Sequence, residues 1–158
     1  MKTACLAVVI ALLAAPLAAQ SLRDCDTYEA NARNTYGPYD ETIRSYANGD
    51  IRIIALDVGE PACCSYHLMV VHPLPDEPFP GCTLVSLESN LGFSGLDMAS
   101  AEASYDPSVG LVVHIPASQM DGEGLLPLLL SLAINQATGT VDPTLMGGIR
   151  MAPLDPTK

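Results

Sequence analysis

Apolar residues recur at strand spacing along residues 51–58 (IRIIALDV) and 63–72 (CCSYHLMVVH). In the first run Ile51, Ile53 and Ala55 share one face, and Arg52, Ile54 and Leu56 share the other. A strand that is apolar on both faces belongs inside a structure that covers both. Asp57-Val58-Gly59-Glu60-Pro61 supplies a turn, with Gly free to take positive φ and Pro fixing its own. In the second run a period of two puts Cys63, Ser65, His67, Met69 and Val71 on one face. Cys64, Tyr66, Leu68, Val70 and His72 fall on the opposite face. Pro73 ends the run because it has no N–H to give a ladder. A lone hairpin is marginal in water, so the rest of the chain must cover this pair.

The same reading predicts strands over 83–89, 99–105, 111–116 and 125–136, with a short return strand at Thr140-Val141. Residues 73–80 hold four prolines and read as a stiff, extended loop. Residues 106–110 (DPSVG) read as a hairpin loop, and 121–124 (DGEG) as an acidic turn. Nearer the N-terminus, Asp24 or Asp26 is placed to cap a short helix through Tyr28, Glu29, Ala30 and Ala32. Tyr36-Gly37-Pro38 would stop it. Tyr28, Tyr36, Tyr39 and Tyr46 crowd this arm. Their expected role is to lay the arm across the sheet, with stacking on sugars or peptides as the alternative. The predicted fold class is mainly β: an antiparallel β-sandwich or meander of about six strands with a short N-terminal helix.

The first residues change the picture of where the chain works. Lys2, the apolar run 4–13, Pro16 and Leu17-Ala18-Ala19 have the layout of a secretory signal peptide, too short for a stable membrane span. The predicted organisation is a signal peptide at 1–19, an N-terminal arm with the short helix at 20–50, a β domain at 51–141 and a flexible tail at 142–158. Cys5 would leave with the signal. The destination would be oxidising, a bacterial periplasm or the cell exterior. A net charge of −11 argues against nucleic acid and anionic membrane surfaces as partners. The expected partner is an unidentified protein or envelope component. No later apolar run is long enough to span a bilayer, and no cofactor is expected.

Cys25, Cys63, Cys64 and Cys82 remain, and four cysteines allow three complete pairings. If 63–72 and 83–89 form a hairpin across the Pro-rich loop, Cys82 sits beside His72. It is then roughly 25 Å along the strand from Cys64. A disulfide needs Cα atoms within about 7 Å, so Cys25 becomes the expected partner of Cys82. Cys63 and Cys64 are left as a vicinal disulfide or as reactive thiols. Without that hairpin, Cys25 would join one of the two and Cys82 the other. There is no C-x-x-C.

Other chemistry has weaker support. His67 and Met69 share a strand face with Cys63, a soft donor set suited to copper. In a straight strand, however, Cys63 and His67 are roughly 13 Å apart, and His72 and His114 lie elsewhere. Gly92-Phe93-Ser94-Gly95 lacks the G-x-S-x-G spacing, although Asp97 and His114 complete a nominal hydrolase set. The expected function is that of an exported, non-catalytic small β domain with a binding or accessory role. The alternatives are a thiol-redox or copper-handling protein acting through Cys63-Cys64, and then a small hydrolase.

Overall fold

The structure, a computed structural model, describes residues 20–147. The predicted signal peptide and positions 148–158 of the predicted tail lie outside the described residues. Strands β1 (Ser21–Asp24), β2 (Ile43–Tyr46), β3 (Ile51–Asp57), β4 (Tyr66–His72) and β5 (Gly81–Ser86) make one antiparallel sheet, in the order β1-β5-β4-β3-β2. A second antiparallel sheet holds β6 (Gly95–Leu96), β7 (Glu102–Asp106), β8 (Gly110–Met120), β9 (Leu125–Asn135) and β10 (Thr140–Gly147). In it β9 lies between β10 and β8, and β6 and β7 share the far edge of β8.

Pro116 explains why two short strands share that edge. Its carbonyl accepts the Asp97 N–H, so the side where its own N–H would point is the side facing β6 and β7. In an antiparallel ladder the N–H and C=O of one residue point the same way. The missing donor therefore falls between the β7 pairing, which ends at His114, and the β6 pairing, which starts at Ala117.

The two sheets contribute to one buried apolar cluster. Ile51, Ile53 and Ala55 of β3, Leu68 and Val70 of β4 and Val85 of β5 belong to it. So do Val113 and Ile115 of β8, and Leu128, Leu130, Leu132 and Ile134 of β9. These strands supply alternate residues, as the pleat requires. The first sheet is covered on its other face as well. Leu56, His67, Leu84 and Ser86 are buried outside that cluster. Thr35 of the N-terminal arm bridges to Leu56, while Arg23 and Glu29 act electrostatically on His67. Tyr36 and Tyr46 pack partly buried against the core cluster, whereas Tyr28 and Tyr39 are exposed.

Four expectations need correction. The described residues hold ten strands, not about six, because the arm itself pairs as β1 and β2. The helix expected through Tyr28–Ala32 is absent. Asn34 donates its side-chain amide to the Tyr28 and Glu29 carbonyls, and Asp24 Oδ1 accepts the Asp26 N–H. These side-chain bonds close turns in competition with a helix. The arm instead forms a 3-10 turn at Ala32–Asn34 and a four-residue helix, α1 (Tyr39–Thr42). The second central strand starts at Tyr66 rather than Cys63, because Cys64 has a φ of 69°, which no strand residue adopts. The tail does not loosen at Asp142: β10 continues to Gly147, with Pro143 tolerated on an edge strand. No helix among the described residues is long and apolar enough to cross a membrane.

Leu130 is 0% exposed and Leu125 is 62% exposed on the same strand. Leu130→Ala is expected to cost about 2–5 kcal/mol of folding stability, and Leu125→Ala within about 0.5 kcal/mol of nothing. Urea unfolding of the two variants checks this. Equal losses would mean that the cluster is not where stability resides.

Candidate functional site

The loop between β3 and β4 positions the two adjacent cysteines. Asp57 Oδ1 accepts the Gly59 N–H at 2.8 Å and turns the chain out of β3. The Val58 N–H donates to the Ser65 carbonyl at 3.0 Å and closes the loop over residues 59–64. Within it, Cys63 and Cys64 lie at disulfide distance, with Cα atoms 3.8 Å apart. That separation is set by one trans peptide and is shorter than the roughly 4.4–6.8 Å that disulfides usually span.

A second segment of the chain holds Cys64 in place. Tyr66 and Phe93 exchange backbone hydrogen bonds at 2.7 and 3.1 Å, which brings residues 90–94 against the start of β4. A Cβ on Gly92 would lie 2.0 Å from the Cys64 carbonyl oxygen, so only glycine permits this approach. Ser94 Oγ stands 3.7 Å from Cys64 Sγ, and the Ser94 N–H is tied to the Ser118 carbonyl at 2.8 Å. Cys64 is 6% exposed, and Cys63 is half-buried.

Both cysteines line a cleft of about 380 Å³ with Tyr28, Glu29, Glu60, His67 and Leu91 among its walls. His67 Nδ1 is 2.8 Å from Ser86 Oγ. Burial holds the His67 ring below the ordinary histidine range; Glu29 opposes this and Arg23 adds to it. For Glu29, burial acts upward, but hydrogen bonds from its own backbone, Arg23 and Thr27 win, so its carboxyl sits below the usual range. Arg23 Nη2 bonds Glu29 Oε1 at 2.9 Å.

The other cysteine pair is of a different kind. Cys25 and Cys82 lie at disulfide distance with Cα atoms 5.6 Å apart and 57 residues of separation. In the chain-entropy account, closing so long a loop is worth about 4 kcal/mol, while a crosslink between neighbours removes almost no unfolded-state freedom. A Cys25–Cys82 bond would staple the arm to β5. A Cys63–Cys64 bond could not act as a staple.

At the opposite end of β4, the Pro-rich loop is pinned at its base. The Pro73 carbonyl can only accept, so His72 Nδ1–H donates to it at 3.1 Å. With that tautomer, His72 Nε2 accepts a hydrogen bond from the Thr83 hydroxyl at 3.0 Å. Gly139, in the turn between β9 and β10, lies so close to Pro73, Leu74 and Pro75 that a Cβ would crowd all three. At the tip, Phe79 is 76% exposed beside a groove lined by Asp50, Arg52, Leu74 and Glu77.

The remaining sequence candidates are not assembled into one site. Asp97 Oδ1 accepts the Ser100 N–H, His114 Nδ1 engages Ser131 Oγ at 2.7 Å, and Ser94 faces Cys64. Met69 pairs across the ladder with Ile54 and Leu84. Among the described residues, no three His, Cys, Asp or Glu side chains group as metal ligands. No protein-family model, curated protein or solved structure matches the chain.

This geometry carries two expected outcomes. Replacing Cys25 and Cys82 together by alanine should lower stability by about 2–5 kcal/mol, and replacing Cys63 and Cys64 together by less than half as much. Chemical denaturation of both double variants decides it; similar losses would make the vicinal pair a structural crosslink after all. The second outcome concerns pH. His67 is held below its unfolded value of 6.5, so its neutral form is favoured by the fold. That contribution is fully present above pH 6.5 and is lost as pH falls below it toward the depressed folded value. The urea midpoint should fall between pH 7.5 and 5.5, and fall less in His67→Gln. An identical drop in both proteins would remove His67 from the account.

Proposed function

We propose that this chain is an exported, non-catalytic β domain that binds a protein or envelope component in the periplasm or at the cell exterior. In this reading residues 1–19 are a signal peptide, and the two sheets pack as a sandwich around the shared cluster. The two cysteine pairs at bonding distance suit an oxidising destination. The net charge of −11 suits a soluble domain with little affinity for polyanions.

The observation that carries the proposal is the Phe79 side chain, 76% exposed on a loop stiffened by Pro73, Pro75, Pro78 and Pro80. An exposed aromatic on a rigid loop loses little conformational entropy when it docks, which makes it an efficient anchor. The base of the loop is fixed by His72 and by the turn at Gly139, and the prolines stiffen the chain that leads to Phe79. A second reading is a thiol-redox role at Cys63-Cys64, favoured by half-buried Cys63 on the cleft wall.

The test is site-specific photo-crosslinking in the host cell, with a benzophenone amino acid at position 79 and, as a control, at Tyr105. Tyr105 is comparably exposed, at 69%, on β7. A discrete adduct from position 79 but not from 105 is the expected result. Equal labelling at both positions, or none at 79, would end the proposal that the Pro-rich loop is the contact surface.

A further inference from the structure

Resting on the thiol-redox reading of the vicinal pair, we propose that Cys63–Cys64 is a thiol–disulfide exchange site that accepts two electrons from small neutral or cationic thiols, with Cys63 attacked and Cys64 leaving. Three observations meet at this pair. It contributes almost nothing as a crosslink, because it closes no loop. It nevertheless occupies a built position: Gly92 has room for no Cβ against the Cys64 carbonyl, and Cys64 is held at a φ of 69°. A non-glycine residue rarely adopts that region unless the surrounding structure holds it there. Finally, the two residues are unequal. Both line the open cleft, but Cys63 is half-buried, while Cys64 is 6% exposed with Ser94 Oγ beside its sulfur.

That inequality sets the direction of the reaction. An entering thiolate reaches Cys63 Sγ from the cleft and forms a new S–S bond to it, while the Cys63–Cys64 bond breaks. Its electron pair goes to Cys64 Sγ, where the Ser94 hydroxyl is placed to donate to the developing thiolate before solvent protonates it. A second thiolate then attacks the sulfur of the first thiol in the mixed disulfide. The small disulfide departs, and Cys63 leaves as a thiolate that is protonated in turn. Two thiols are oxidised to one disulfide, and the vicinal pair is reduced to two thiols.

The walls of the cleft set the class of thiol. Glu60 faces it, Glu29 faces it with its charge balanced by Arg23, and the chain as a whole carries −11. An anionic thiol is therefore repelled, whereas a neutral or cationic one is not. A cleft of about 380 Å³ holds a small molecule.

The experiment uses the oxidised wild-type protein with cysteamine, a cationic thiol, and 2-mercaptoethanesulfonate, an anionic one. Samples are alkylated at once with N-ethylmaleimide, digested without reduction and sequenced by fragmentation between Cys63 and Cys64. The expected product carries cysteamine on Cys63 and the alkyl group on Cys64, with Cys25–Cys82 intact. Each rate is divided by that thiol's rate with a small uncharged disulfide. On that scale cysteamine should be roughly fivefold faster at low salt, with the gap closing at high salt. Ser94→Ala should slow the first exchange about fivefold while Cys25–Cys82 stays closed, and Ser94→Thr should restore it. An adduct on Cys64, no adduct until urea unfolds the chain, or equal reaction at Cys25–Cys82 would overturn the site. Equal normalised rates for the two thiols would overturn the substrate class.

Discussion

Ile53 stands opposite Val70, and Ala55 opposite Leu68, in the antiparallel pair of β3 and β4. On the other side of β4, Leu68 stands opposite Val85. This three-strand register is the constraint on which the rest of the molecule depends. It gathers alternate residues of each strand on the face that joins the core cluster. A slip of one residue would turn those side chains outward and bring His67 and Met69 in, at the loss of the apolar area that β8 and β9 now bury. The same register fixes both ends of β4. At one end the chain must turn through Cys63 and Cys64, and at the other it must cross the Pro-rich loop from His72 to Gly81.

Each end is finished by a remote segment. Residues 90–94 close on the vicinal pair through the Tyr66–Phe93 bridge and the bare backbone of Gly92. The turn at Gly139 closes on Leu74 and Pro75 in the same way. In both places a glycine is required because another part of the chain occupies the space of its Cβ, not because of turn geometry alone. The N-terminal arm covers the outer face, with Cys25 at disulfide distance from Cys82 of β5 and Arg23 paired with Glu29 within the arm. The covering is polar where it meets His67, and there burial lowers the ring's pKa, favouring its neutral form.

Much of this was legible in the sequence where the signal is local. The alternation in 51–58 and 63–72, the Pro-rich break and the next run led to the mainly β, antiparallel class. Folding those two strands over that loop put Cys82 beside His72; in the ladder it stands opposite Val71. The arm misled, because alanine and glutamate favour helix while the decisive bonds come from the Asn34 side chain, six and five residues away from its acceptors. The extra strands were missed for a related reason: β1 and β2 are four residues long, and β6 is two, too short for any periodicity. The cleft could not be read either. Its walls come from residues 28–29, 58–67 and 90–92, and only the fold brings those together. A strand was expected to separate Cys63 from His67 along a straight line. The left-handed turn at Cys64 instead places both on one cleft.

A disulfide map of the native, unreduced protein, with free thiols trapped first, tests the register most directly. Cys82 pairs across the ladder with Val71, five residues and roughly 17 Å of strand beyond Tyr66, where β4 starts. The account therefore predicts Cys25 linked to Cys82 and Cys63 linked to Cys64. A link from Cys82 to Cys63 or Cys64 would place β5 at the wrong end of β4 and contradict the ladder around which the two sheets are built.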